Sequence, residues 1–569
     1  RWMQPSFAAV RLPAGEVAVQ AHYAGPETID QLHLLRLPDD DPLSLRLAAM
    51  QQRRPWLGVH LGLRRDCGST LALVGPPQRV DSGQPHDYVF EGAIANFPDP
   101  QVEAGNPNYL AGLREIAVRS EYTSDRDMPR LLVKSVEFEG PLYEQWPPAS
   151  YAAVAEVPGS DAADPEQRAN AILSTFATRA WRRPLTASER DGLLAIWRQS
   201  RAATGDERQA LRDALVAVLV SPQFLFLIEE STTPEPELLD GYELASKLAF
   251  FLWNAPPDAE LLSQAAADTL HAGLAAHTDR LIDDVRFEAF AEVFVSEWLR
   301  LDRFDVLESD ADRFPRLSGH VRRHLREEPA RLLTHLIRTN APPADLVYSH
   351  TLLVNEVVAD YYGLDAAVES GFDFVPVRHC RSDLGGLLTL PAVLAGLSDG
   401  REPNPVKRGG WLARKIIAEP PADPPPNVPK LEDLTQLSLR ERLEQHRSAK
   451  GCTGCHQGID PWGLPFEGYG ADGLAVADEL DAEVDASSLL PDGTVVDDFA
   501  AFRAYLLSEK IDRVAASFAW HLATYASGRR PTPAEERWLE RMAAEERSRG
   551  GGLRDILKAI VASEMFLTK

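Results

Sequence analysis

Two patterns of apolar spacing divide the chain. Up to about residue 148, apolar and polar residues alternate over short stretches: Val17–Tyr23, Asp87–Glu91 and Leu131–Phe138, punctuated by Gly, Pro and Asp. A period of two between turn residues predicts short strands, and many in succession predict a β-sandwich or jelly roll. The proline-rich run Glu139–Pro148 closes that section.

From about Asp164 the spacing becomes three and four residues. It predicts helices over Ala169–Trp181, Glu189–Arg201, Glu207–Ile228, Gly241–Trp253, His277–Leu301 and Val321–Thr339. Further helices are expected over Ser438–Ser448, Phe499–Leu507, Val514–Gly528, Thr532–Arg547 and Leu553–Phe566. Thr186 with Glu189 three residues on has the form of a capping box. Phe287, Phe290, Phe294 and Trp298 share one helical face and are expected in the core. Residues 375–430, rich in Gly, Pro and Arg, are expected to be irregular.

The predicted fold class is therefore multidomain α+β: a β-sandwich or jelly roll over 1–148, then a mainly α-helical body. At 569 residues the chain exceeds one ordinary domain. The body divides into helical domains over 164–230, 238–365 and 490–569, with a distinct module over 375–475. Its 43 prolines cluster in connectors such as Glu419–Pro429, which read as stiff linkers.

Charge narrows the partners. A net charge of −26 repels phosphate backbones and anionic lipid, so nucleic-acid and bilayer binding are not expected. No apolar run approaches the ~18 residues of a membrane span. The chain begins at Arg1, without an initiator Met or an apolar leader, which points to a removed signal peptide or a longer precursor.

The chemistry concentrates in Lys450-Gly-Cys-Thr-Gly-Cys-His456. Two thiols separated by two residues, with His directly after, is the spacing of c-type haem attachment. On one helical turn, Cys452 and Cys455 reach the two vinyl groups of one porphyrin edge, and His456 turns its imidazole to the iron. A zinc knuckle would need a second ligand pair, and no other close Cys or Cys/His pair exists. A redox dithiol would sit in an α/β unit, and no strand pattern flanks the motif. One covalent haem c is expected. Of the four cysteines this leaves Cys67 and Cys380, which either pair as a disulfide in an exported protein or remain thiols.

The second axial ligand decides between electron transfer and reaction at an open iron. The five methionines are Met3, Met50, Met128, Met542 and Met565, none soon after the motif where a small cytochrome c keeps its ligand. The candidates are His521, Met565 and His446. Tyr525 and Arg529 follow His521 at i+4 and i+8, a face that meets either a haem edge or plain packing. No hydrolase, phosphate-binding or dinucleotide motif is present. The Asp and Asn content of the front section leaves room for calcium, although no ligand ladder appears.

These residues bear a resemblance. Leu439–His446, the haem motif and Ile459-Asp-Pro-Trp-Gly-Leu-Pro-Phe-Glu-Gly-Tyr-Gly-Ala-Asp-Gly473 resemble the planctomycete-type multidomain c-type cytochrome family. In that family, successive domains of unknown function surround a C-terminal Cys-x-x-Cys-His module. Ser398–Gly409 with Pro424–Pro429 resembles the family's signature before the motif. Arg179–Leu185, Ser221–Phe224, Leu239–Trp253 and Leu522–Arg529 resemble its other helical modules. The resemblance covers about Asp164 to Lys569 and makes 375–475 the cytochrome c-like haem c-binding module. The front section resembles, more weakly, a carbohydrate-binding-like sandwich. The further N-terminal haem domain common in the family has no counterpart motif here.

Three functions are compatible with this reading. The leading one is an exported electron-transfer protein, periplasmic, cell-surface or secreted, docked to polysaccharide or to a redox partner such as another cytochrome. The second is a haem peroxidase or oxidase acting on glycans or their products. The third is a structural relay subunit of a larger redox assembly.

Overall fold

The computed structural model describes residues 36–62, 71–92, 115–121, 129–140, 142, 145–147, 149–231, 233–364, 370–421, 456–476 and 485–569. The chain divides into two compact units, Arg1–Leu142 and Tyr143–Lys569.

In the first unit, a helix over Pro42–Gln52 is capped by Asp41, whose carboxylate accepts from Leu43 N–H. An antiparallel sheet follows. Strand β1 (Trp56–Gly62) lies between β4 (Glu115–Glu121) on one side and the short strands β2 (Ala72–Leu73) and β3 (Gln78–Arg79) on the other. His60 of β1 meets Glu121 of β4 at 2.6 Å, both buried. The stretches 87–91 and 131–138, expected as strands, form none among the described residues. In the second of these, Leu132, Val133, Val136 and Phe138 are all exposed: the alternation is present, but no layer buries its apolar face. Val17–Tyr23 lies outside the described residues.

The second unit is mainly helical, and its strands among the described residues form two antiparallel pairs: β5 (Thr351–Val354) with β6 (Val375–Arg378), and β7 (Ser488–Leu489) with β8 (Val495–Val496). A first bundle joins Pro165–Trp181, Ala187–Thr204 and Glu207–Leu219 around Trp181, Leu193, Trp197 and Val218. The Thr186/Glu189 capping box is formed. Glu207–Ile228 is not one helix, because Pro222 opens a new turn, Pro222–Leu225. Buried Arg182 donates to the carbonyls of Gln223 and Phe226 and fixes that turn. His277–Leu301 is likewise two helices, Leu270–Asp283 and Phe287–Leu299. Asp284 breaks them: its backbone is extended and its carboxylate takes Arg286 N–H and guanidinium.

The C-terminal helices do not trail away. Tyr525, on Ile511–Ser527, packs edge-on against Phe290 and Phe294, and Phe566 packs on Phe251. The predicted aromatic face is thus core, shared with the last part of the chain. Arg554 pairs with Asp279 and Asp283, Lys569 pairs with Glu243, and Leu238 bridges Thr568. The end of the chain is stitched to Gly241–Trp253 and Leu270–Asp283.

Residues 375–430 are not irregular where they are described. They hold β6, a 3-10 turn (Leu387–Thr389), helices Pro391–Gly396 and Pro405–Trp411, and a π turn at Leu412–Ile416. Short helices of Gly and Pro escape a periodicity test that needs longer windows.

One buried acid sets a pH dependence. Glu328, on Gly319–Arg338, is 1% exposed, and Tyr362 Oη lies 2.9 Å from both its carboxyl oxygens. Burial pushes its pKa up to about 8 from an ordinary 4.5, so the folded protein holds a proton that the unfolded chain releases. This contribution to stability is complete below about pH 4.5 and is lost as pH rises through about 8. Glu328→Gln should therefore unfold like wild type at pH 5 and at a higher temperature than wild type at pH 9, as read by calorimetry.

Candidate functional site

The site grows from a pair of crossing helices. Asn404 caps Pro405–Trp411 through Lys407 N–H. Against it lies Asp460–Gly463, one turn after the haem motif. The two backbones touch. A Cβ on Gly463 would sit 1.9 Å from the Pro405 carbonyl oxygen, and one on Gly409 2.2 Å from that of Ile459. Only glycine permits this approach.

Arg408, on the same helix, is fully buried. Its guanidinium donates to the carbonyls of Phe466 (2.9 Å), Tyr469 (2.7 Å), Gly470 (2.6 Å) and Leu394 (3.2 Å). Burial lowers its pKa to about 9, which leaves it charged at neutral pH. The segment 464–470 is thereby tied to the Pro391–Gly396 helix. Tyr469 Oη donates to Asp383 O, Tyr361 Oη to Asp472 O, and Ser488 Oγ to Pro461 O. The stretch just after the haem motif is fixed from several sides.

Within that frame His456 is 8% exposed and Asp460 1%. His456 Nδ1 lies 2.8 Å from Asp460 Oδ1, one helical turn away. With Nδ1 engaged, Nε2 is the nitrogen that suits a metal. Trp411 Nε1 is buried and finds no acceptor among the described residues. Lys407, Arg414 and Lys415 lie on the adjoining helix and π turn, and burial lowers the pKa of both lysines. A haem held here would offer its iron to His456 and its two propionates to indole N–H and cations. The residues present fit that group. When bound, a haem supplies one-electron chemistry at iron.

Cys452, Cys455 and His446 lie outside the described residues, as does Cys67; Cys380 is an exposed free thiol. His521 sits on Ile511–Ser527, which packs on the Leu412–Ile416 π turn. The Asp460–Gly463 helix packs on the same turn. The His521 ring packs on Trp298 and on Trp520. Burial and the nearby Lys415 ammonium lower its pKa to about 3, so it is a neutral imidazole. Met565 lies elsewhere, in the Glu564–Leu567 turn beside Phe566. Tyr525 belongs to the aromatic core, and Arg529 pairs with Glu535. Among the described residues no three His, Cys, Asp or Glu side chains converge on a metal, so no calcium donor set is found there. No helix among them is long and apolar enough to cross a membrane.

Sequence reading passed over Asp460, Arg408 and Trp411. The i, i+4 spacing of His456 and Asp460 was the available signal for the first. A lone Arg or Trp carries none.

Four family models match in succession, each described as a protein of unknown function: DUF1595 over residues 168–229, DUF1592 over 239–364, DUF1588 over 384–479 and DUF1585 over 492–566. These are planctomycete-type cytochrome-family domains. The cytochrome-family domain over 384–479 is the one that contains the crossing helices, Arg408 and the His456–Asp460 pair. No curated protein and no solved structure matches the chain.

Arg408→Leu leaves four carbonyls without their donor and should lower stability by roughly 3–5 kcal/mol. Denaturant unfolding followed by far-ultraviolet circular dichroism measures it.

Proposed function

We infer that the chain is an extracytoplasmic c-type haem protein that transfers electrons. Cys452 and Cys455 hold one haem through thioethers, and His456 binds its iron. The observation that carries this is continuity: the Cys-x-x-Cys-His spacing runs directly into a buried imidazole whose Nδ1 is held by Asp460. The extracytoplasmic location rests on chemistry, since bacteria form these thioethers outside the cytoplasmic membrane. The net charge of −26 suits a basic redox partner, another cytochrome among them. The front section would serve as a sandwich that docks polysaccharide.

A second reading, a haem peroxidase or oxidase acting on glycans or their products, draws on the carboxylate at His456, because negative charge there favours oxidised iron. A relay subunit of a larger assembly would use the same haem without chemistry of its own.

Denaturing mass spectrometry of the full chain, expressed with haem-attachment machinery, tests the inference. One haem mass retained on the peptide containing Cys452 and Cys455 is expected; the apoprotein mass, or bound zinc, overturns it.

For the far side of the iron, His521 is the nomination, because its helix meets the same π turn as the His456 segment. His521→Ala should convert a low-spin ferric spectrum to high-spin, and Met565→Ala should leave it low-spin. A spectrum unmoved by His521→Ala removes His521 from the site.

A further inference from the structure

The pair behind the proximal nitrogen has a consequence for the iron. Asp460 is not a surface carboxylate that happens to lie near a histidine. It is 1% exposed, and the turn that carries it is fixed on both sides: Gly409 and Gly463 press it against Pro405–Trp411, and Ser488 Oγ holds the Pro461 carbonyl. Arg408 anchors the residues that follow. Asp460 Oδ1 is therefore held against His456 Nδ1, 2.8 Å away.

A carboxylate this buried is stable where positive charge faces it. Iron on Nε2 supplies such charge, and more of it when ferric than when ferrous. The bond also works in the other direction. An N–H donated to a carboxylate is stronger than one donated to a neutral carbonyl, so it pushes electron density through the ring to Nε2. Both effects favour the ferric state.

We propose that Asp460 is a positioning residue for the haem, which orients the His456 ring through Nδ1 and holds the reduction potential down by making the proximal imidazole more electron-rich. This rests on the haem attachment inferred above and adds a regulator of the iron that the attachment motif does not contain. A carboxylate whose charge acted without the Nδ1 bond would leave the Fe–Nε2 stretching frequency at the value of a carbonyl-bonded imidazole.

The test uses the full chain with its haem, as wild type, Asp460→Asn and Asp460→Glu, in spectroelectrochemical titrations. The haem mass of the wild type is measured first. Asp460→Asn keeps the shape and removes the charge. It should shift the balance at least tenfold towards ferrous iron, about 59 mV upward for one electron. Asp460→Glu keeps the charge and should shift it less. An Asp460→Asn holoprotein with the wild-type potential overturns the proposal.

A second measurement needs no variant. After photolysis of the carbon monoxide adduct of the wild type, the Fe–Nε2 stretching frequency should exceed that of a proximal imidazole bonded only to a backbone carbonyl. A frequency at or below that reference overturns the proposal even if Asp460→Asn does not fold. A wild-type chain without haem overturns both this proposal and the attachment it rests on. Haem present with an unmoved potential overturns this one alone.

Discussion

The site depends on a single buried cation. Arg408 carries its charge into a region with no exposure to water and spends it on backbone carbonyls alone: Phe466, Tyr469, Gly470 and Leu394. Carbonyl dipoles can solvate a guanidinium only if several converge, and convergence requires the chain after His456 to curl around the side chain. The curl brings Asp460–Gly463 onto Pro405–Trp411, and the two glycines make that contact close enough to be rigid. The imidazole of His456 and the carboxylate of Asp460 then meet in a place where neither can rearrange. Shape comes first here, and the chemistry of the proximal pair follows from it.

The rest of the body supports this arrangement through connections that skip along the chain. The C-terminal helices pack on the aromatic core of the 239–364 domain, and the Ile511–Ser527 helix reaches the π turn at Leu412–Ile416. That turn receives Trp298 Nε1 and Ser517 Oγ on the Lys415 carbonyl, so three successive family domains share one piece of backbone. A π turn widens the helix and exposes carbonyls to outside donors, which is why such turns recur at functional positions. The domains are separate as family models and continuous as a core.

How much of this was legible in the sequence follows from the physics of each signal. Helices with a long apolar face were readable: Gly241–Trp253 begins and ends where its spacing places it. The Thr186 box was readable because two side chains at fixed spacing close it. The breaks at Pro222 and Asp284 were missed, since apolar spacing continues across them while a local hydrogen bond interrupts the backbone. Alternation over Leu131–Phe138 misled, because period two says which face could be buried and not whether anything covers it. At the site, the attachment motif was visible as spacing. Arg408 was not, for a lone arginine reads as surface until four carbonyls surround it. Glu328 was hidden in the same way, as one acid on a charged helix.

The central claim is that this chain carries one haem bonded through two thioethers. The reduced pyridine haemochrome spectrum of the purified full chain tests it most directly, because the α band reports how many vinyl groups have been saturated. The account predicts one haem per chain, an α band at the position for two saturated vinyls, and a shift to the one-vinyl position in Cys452→Ser. A band at the position of an unmodified haem, or a chain with no haem at all, would contradict it.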